Sequence, residues 1–435
     1  MEFPDRTEVD RLLEPRSLPS FVRVRYDPPV ETVADPAARV GSEVETFDLD
    51  SLAPGATVAV GVGSRGIDRI DEFVASVVST LSDRGLEPVV VPAMGSHGGA
   101  TAEGQLETLA ALGVTESRVG APVDARMDTE RVGTVTVGDT VYPIHVSTAA
   151  LDTDALLVVN RVKPHTNFTG RIESGLCKML VAGLGKQRGA NAFHATALAE
   201  GYVPALEAAF DVVADAVPLL GGIAVIENFH EETAHVEALP NGEILDREPE
   251  LLSRAREAMA TLPVAAIDLL VVDELGKDVS GAGMDTNVVG RYRVLNAPDP
   301  DTPEIELIYA RGLTERTKGN GNGIGLADLT RRVAVEELDL RKTYANALTS
   351  GSLAKATLPI VAPDDECALR IALAALGGDD PDRARVVWIE NTQDLADLYV
   401  SLAVVDDLPD TATVRGEATL SFEDGTASFE TDEEP

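Results

Sequence analysis

Residues 56–99 read ATVAVGVGSRGIDRIDEFVASVVSTLSDRGLEPVVVPAMGSHGG, and this stretch decides the fold. Its first seven residues, apolar but for Thr57 and rich in Val, form a run of strand length, and GSRG follows as a turn. From Ile67 the apolar residues recur at helical spacing until Arg84-Gly85 stops the pattern, Gly being a common residue just past a helix end. EPVVVPAM is a second buried strand that ends in GSHGG, and TAEGQLETLAALGV (101–114) is a second helix. A β-α-β-α run of this kind requires parallel strands joined by right-handed crossovers.

Working outward, VGTVTVGDTVYPIHV (132–146) reads as a hairpin turning at Gly138-Asp139, and DALLVVN (154–160) as another buried strand that runs on into RVKPH. Tyr202–Leu220 has a helical pattern, GGIAVIENF and TAHVEALPNGEIL look like strands, and EPELLSRAREAMA is a helix. TLPV (261–264) reads as a linker, after which AAIDLLVVDELGKDVSGAG starts a second strand and Gly-rich loop. The expectation is an α/β protein of two α/β domains, 1–262 and 263–435, with largely parallel, doubly wound sheets and the active site in the cleft between them. The late pieces ARVVWIEN and SLAVV read as strands that fit either domain.

Composition bounds the function. The 435 residues carry 73 Asp and Glu against 36 Lys and Arg, a formal charge of −37, which argues against a nucleic-acid or anionic-membrane surface. Lysine is confined to positions 163, 178, 186, 277, 318, 342 and 355, so basic side chains are mostly Arg on a carboxylate-rich surface. That balance is expected of a halophilic protein, because molar salt cuts the range of self-repulsion to about 3 Å. Cys177 and Cys367 are too few for a disulfide framework or an iron–sulfur cluster, and no apolar run approaches a membrane span or signal core. A cytoplasmic location is expected.

Three strands end in a side chain with chemistry: Arg65 in GSRG, His97 in GSHGG and His165 in VKPHTNF. Ligands of open sheets bind beyond the carboxyl ends of the strands, where such loops converge. Lys178 stands in GRIESGLCKMLVAGLGK, an apolar stretch, where desolvation would make its amine nucleophilic; the alternative is that it snorkels beside Glu173. His194 follows in RGANAFH.

The succession GSR, GSH, KPH, a Gly-rich approach to Lys178 and then NAFH resembles the N-terminal domain of the nickel-dependent lactate racemase family. The likeness covers Ala56 to Ala199, and the 16 residues from Lys178 to His194 equal that family's interval between its cofactor-bearing lysine and its nickel-binding histidine. The resemblance implies a nickel-pincer nucleotide, a pyridinium mononucleotide whose two sulfurs and ring carbon hold nickel, tethered as a thioamide to Lys178. It implies further that His194 is the protein ligand of the metal, that His97 and His165 are alternate acid/bases, and that Arg65 anchors the substrate. Lys277, in ELGKDVSGAGMD, is the candidate for a second grip on the substrate carboxylate, or else a turn lysine. The expected activity is a racemase or epimerase acting on a 2-hydroxy acid, dependent on cofactor-biosynthesis proteins for its prosthetic group. Val62 stands where the family's arginine motif is preceded by aspartate, which points away from lactate itself.

The chemistry fits that expectation, since the hydrogen on a hydroxyl-bearing carbon is far too weak an acid for an imidazole of pKa near ~6.5. Removing it as hydride, with the hydroxyl proton taken by a base, leaves a planar keto acid that can be reduced on its other face. Two rival readings have some support in the sequence. Gly61, Gly63 and Gly66 form the G-x-G-x-x-G of a nicotinamide dehydrogenase, but the next strand ends in Pro92, Ala93 and Met94, where an acidic residue should hold the ribose. A non-catalytic sugar-acid binding protein on the same fold would be expected to have lost Lys178 or His194. The zinc-like HEETAH places His230 and His235 five residues apart, about 140° around a helix, so a hairpin is expected there instead. GNGNGIG (319–325) reads as a flexible loop or a phosphate nest.

Overall fold

The computed structural model describes residues 2–14, 16–64, 66–294, 297–378 and 380–431. Among the described residues sixteen strands run in chain order: β1 Phe21–Tyr26, β2 Thr57–Val62, β3 Glu87–Pro92, β4 Thr129–Val137, β5 Thr140–Ser147, β6 Ala155–Arg161, β7 Leu219–Glu227 and β8 Thr233–Pro240. They continue as β9 Ala266–Leu275, β10 Glu304–Leu313, β11 Leu329–Arg331, β12 Ile360–Ala362, β13 Val386–Ile389, β14 Asp397–Ser401, β15 Ala412–Glu423 and β16 Thr426–Thr431. The chain forms two compact α/β units: residues 30–165 with 169–259, and residues 1–29, 166–168 and 260–435.

The first unit is built on a five-stranded sheet in the order β3-β2-β6-β7-β8, parallel except for β8. Its centre is the apolar run read from sequence, with Val58, Ala59, Val60 and Val62 of β2 fully buried. Such strands are covered on both faces, and the helix Ile70–Asp83 supplies one cover through Ile70, Phe73, Val74, Val77, Val78 and Leu81. These six side chains follow helical spacing, and each contributes about 1.5–3 kcal/mol by leaving water. Asp71 and Glu72 in its first turn complement the helix dipole. The strand order changes direction at β2, with β3 on one side and β6 on the other, and such switch points open a crevice at the carboxyl edge. β4 and β5 form the expected hairpin, with Gly138 at φ 54° in its turn.

The second unit carries a nine-stranded sheet, β12-β11-β10-β9-β13-β14-β1-β15-β16. Its β12-to-β13 half is parallel, and the half from β13 to β16 is antiparallel. β1 departs from the sequence reading, which counted residues 1–29 with the N-terminal half. Its Phe21 to Arg25 pair with Ser401 to Asp397 and, on the other edge, with β15. SLAVV also differs, because the strand ends at Ser401 and Leu402–Val405 is a helical turn. Among the described residues no helix is long and apolar enough to cross a membrane.

Candidate active site

The carboxyl edge of the five-stranded sheet collects the residues singled out from sequence. His97 lies in the turn after β3, exposed, with Nδ1 hydrogen-bonded to Oγ of Ser64 in the loop after β2. Neighbouring strand ends thus hold that imidazole. Its turn is bonded to the segment after Lys178, since the Gly95 amide donates to the Gly183 carbonyl at 2.9 Å. Gly183 is needed there, because a Cβ would stand 2.4 Å from the Ala93 carbonyl oxygen.

His165 lies just beyond β6, buried, and its Nε2 is 2.5 Å from Nζ of Lys178. Its backbone amide donates to Glu173 Oε2 at 2.5 Å, while Glu173 Oε1 accepts from the Gly170 amide and pairs with Arg256. Glu173 is therefore a brace for the His165 loop. It is not the surface partner of Lys178 that a snorkelling lysine would need. Burial raises its pKa against the lowering effect of those donors.

Lys178 ends a short helix, Leu176–Lys178, that runs into a π-helical turn, Met179–Gly183. π-turns recur at functional sites because the wider turn redirects side chains. Behind Lys178, Glu248 accepts the Cys177 amide at 2.9 Å and is wholly buried, and Asn160 holds the Gly175 carbonyl at 2.8 Å. His194 lies on the next helix, Lys186–Glu200, its ring 5.3 Å from that of Phe193. Burial, with the Lys178 ammonium adding to it, pushes its pKa down to about 4, so the ring is neutral at pH 7. Its Nδ1 is buried without a hydrogen-bond partner.

His165, Lys178 and His194 thus share one locality, and His97, at the end of β3 with β2 between it and β6, is tied to it through the Gly95–Gly183 hydrogen bond. Arg65 lies outside the described residues. Lys277 is in the second unit, half-buried, with Nζ donating to the Gly281 carbonyl. Near it Lys355, 1% exposed, donates to the Thr166 carbonyl at 2.8 Å and to Asn167 Oδ1 at 2.6 Å, and burial lowers its pKa to about 7. His230 is exposed at a turn and His235 is tied to Glu237 and Arg254, so HEETAH is the start of β8 and a loop. Ser64, Glu173 and Glu248 were not singled out from sequence as site residues. A carboxylate within an apolar stretch was the available signal for Glu173, and Glu248 looked like any helix-surface acid.

A mostly parallel α/β sheet with histidines and a lysine at its carboxyl edge defines the class as a switch-point α/β protein. The chain belongs to the family described as domain of unknown function DUF362, whose profile matches residues 69–296, more than half of the chain. Among curated protein sequences none matches it. In fold it is similar to a Thermotoga maritima protein of known crystal structure, with 14% identity and a TM-score of 0.51 over 84% of this chain and 99% of that one. It is likewise similar to the lactate racemase apoprotein of Thermoanaerobacterium thermosaccharolyticum, with 13% identity and a TM-score of 0.50 over 87% of this chain and 99% of that one.

Proposed function

We propose that this chain is a racemase or epimerase that inverts the hydroxyl-bearing carbon of a small 2-hydroxy acid, with a nickel-pincer nucleotide tethered to Lys178. The observation that carries the reading is the grouping of Lys178 with His165 and with the neutral His194 at a strand edge, in a fold similar to a lactate racemase apoprotein. The residues fit the group. A neutral imidazole with an orphaned ring nitrogen suits nickel. Among the described residues no three His, Cys, Asp or Glu side chains are placed to hold a metal, so an ion at His194 would take its other donors from a prosthetic group.

When bound, such a group would supply an electrophilic hydride acceptor, which no side chain provides. The chain's own residues do the rest. A thioamide at Lys178 would carry no positive charge beside His165 Nε2, which would favour that imidazole as the base for the substrate's hydroxyl proton. His97, oriented by Ser64 on a different strand end, would serve the opposite face, and inversion needs one base on each side. Arg65 would hold the carboxylate.

The test is peptide mass spectrometry of protein made in a host with the cofactor pathway. An adduct on Lys178 with stoichiometric nickel is expected, both lost in Lys178→Ala. Active protein with an unmodified Lys178 would remove the proposal.

A further inference from the structure

We propose that Lys186 and Gln105 form a buried clamp that registers the His97 turn against the helix bearing His194, which makes both of them positioning residues. Assigning the two histidines to catalysis and metal binding rests on the reading above; the clamp itself does not.

Lys186 is 0% exposed and Gln105 is 0% exposed. The Lys186 ammonium donates to the Pro92 carbonyl at the end of β3, 2.7 Å away, and to Gln105 Oε1 at 3.0 Å. The Gln105 amide passes the link on, donating to the Gly95 carbonyl at 2.9 Å and to the His97 carbonyl at 3.4 Å. One lysine thereby joins three elements: a strand end, the helix Ala102–Ala111 and the start of the helix Lys186–Glu200.

The turn needs such a clamp. Gly95, Gly98, Gly99 and Ala100 all have positive φ, and Gly98 packs so close to Gly104 that a Cβ would lie 2.3 Å from its backbone. A run this rich in Gly has little side-chain packing to fix it and much freedom to lose. On the other side, Lys186 opens the helix, and Ala190 and His194, four residues apart along it, share one face. Ala190 touches the Gly95 turn, its Cβ 3.2 Å from where a Gly95 Cβ would sit. The face that carries His194 is thus the face that meets the Gly95 turn.

A lysine kept only for packing would be cheaper as methionine. Lys186 is buried against neutral acceptors, and its backbone holds φ 49°, a left-handed conformation that is strained for a non-glycine residue. Burial lowers its pKa to about 8, with Asp124 opposing that from a distance.

Hydrogen exchange and diethyl pyrocarbonate labelling of the full chain, both read by mass spectrometry, test the clamp without any activity. In Gln105→Leu the peptide spanning 94–100 should exchange at least tenfold faster and His97 should label at least threefold faster. β2, β6 and the labelling of His230 should stay within twofold. Gln105→Glu keeps an acceptor for Lys186 but loses both donors to the turn, and should behave as Gln105→Leu does. Lys186→Met should loosen residues 94–100 and 186–194 together; should it fail to fold, the two Gln105 variants carry the test. Unchanged exchange over 94–100 in both Gln105 variants, or a rise spread evenly over the sheet, overturns the proposal. Neither result bears on an adduct at Lys178, so the two readings fail separately.

Discussion

Glu248→Gln should make the protein more stable at neutral pH, by an amount that grows as pH rises. Glu248 is wholly buried behind the Leu176–Lys178 helix, with Oε2 accepting from the Cys177 amide and Oε1 buried without a partner. Burial raises its pKa from 4.5 to about 7. Because the folded value lies above the unfolded one, the stability linked to its protonation is complete below about pH 4.5 and is lost as pH rises through 7. At ~1.4 kcal/mol per pH unit the whole window corresponds to about 3 kcal/mol, and the part between pH 5.5 and 8 to about 2 kcal/mol. Glutamine keeps the acceptor for Cys177 and does not titrate. Urea unfolding at fixed molar salt, followed by hydrogen exchange of β6 so that the unit holding Glu248 is the one observed, gives the difference between variant and wild type. That difference should move by about 2 kcal/mol in favour of the variant from pH 5.5 to 8. A flat difference would show that the carboxyl is already ionised at pH 5.5, and the reasoning from burial would fail.

Other substitutions probe separate parts of the molecule. Asp365, fully buried, accepts from Tyr309, Arg311, Arg331 and the Ala427 amide, so Asp365→Ala should cost about 3–5 kcal/mol in urea unfolding followed by the fluorescence of Trp388; a loss under ~1 kcal/mol would contradict this. His194→Ala should weaken nickel retention at least tenfold in dialysis of loaded protein while circular dichroism is unchanged. His97→Ala and His165→Ala should each abolish inversion, measured by chiral chromatography, with nickel still bound; retained inversion in either would remove that residue as an acid/base. Gly183→Ala should destabilise by about 1–3 kcal/mol, read by thermal unfolding, because its Cβ meets the Ala93 carbonyl.

Local periodicity made the start of the first unit legible because β2 is a buried apolar run followed by a helix, Ile70–Asp83, with one apolar face. The nine-stranded sheet was harder for a physical reason. β1 pairs with strands some four hundred residues away in sequence, and Arg23 and Arg25 on it are paired with Asp397 across the strand, so its polar face carries no sign of which sheet it joins. SLAVV misled because β-branched and aliphatic residues suit a buried strand and a buried helical turn equally, and five residues are too few for a period to show.

The site shows where a composition signal stops. Lys178 stood out because a scarce lysine sat in an apolar stretch, yet Lys186 ends the same stretch, and it and Lys355 are more deeply buried than Lys178. Burial alone therefore does not separate the three lysines. The partner does. Carbonyl and amide oxygens around Lys186 and Lys355 can only accept, so those side chains donate to them and act as ties. Lys178 instead faces Nε2 of His165, a ring nitrogen that can either donate or accept. The fold, by bringing His165 round from the end of β6, gives Lys178 a ring nitrogen as its neighbour, a partner that no local pattern around the lysine announces.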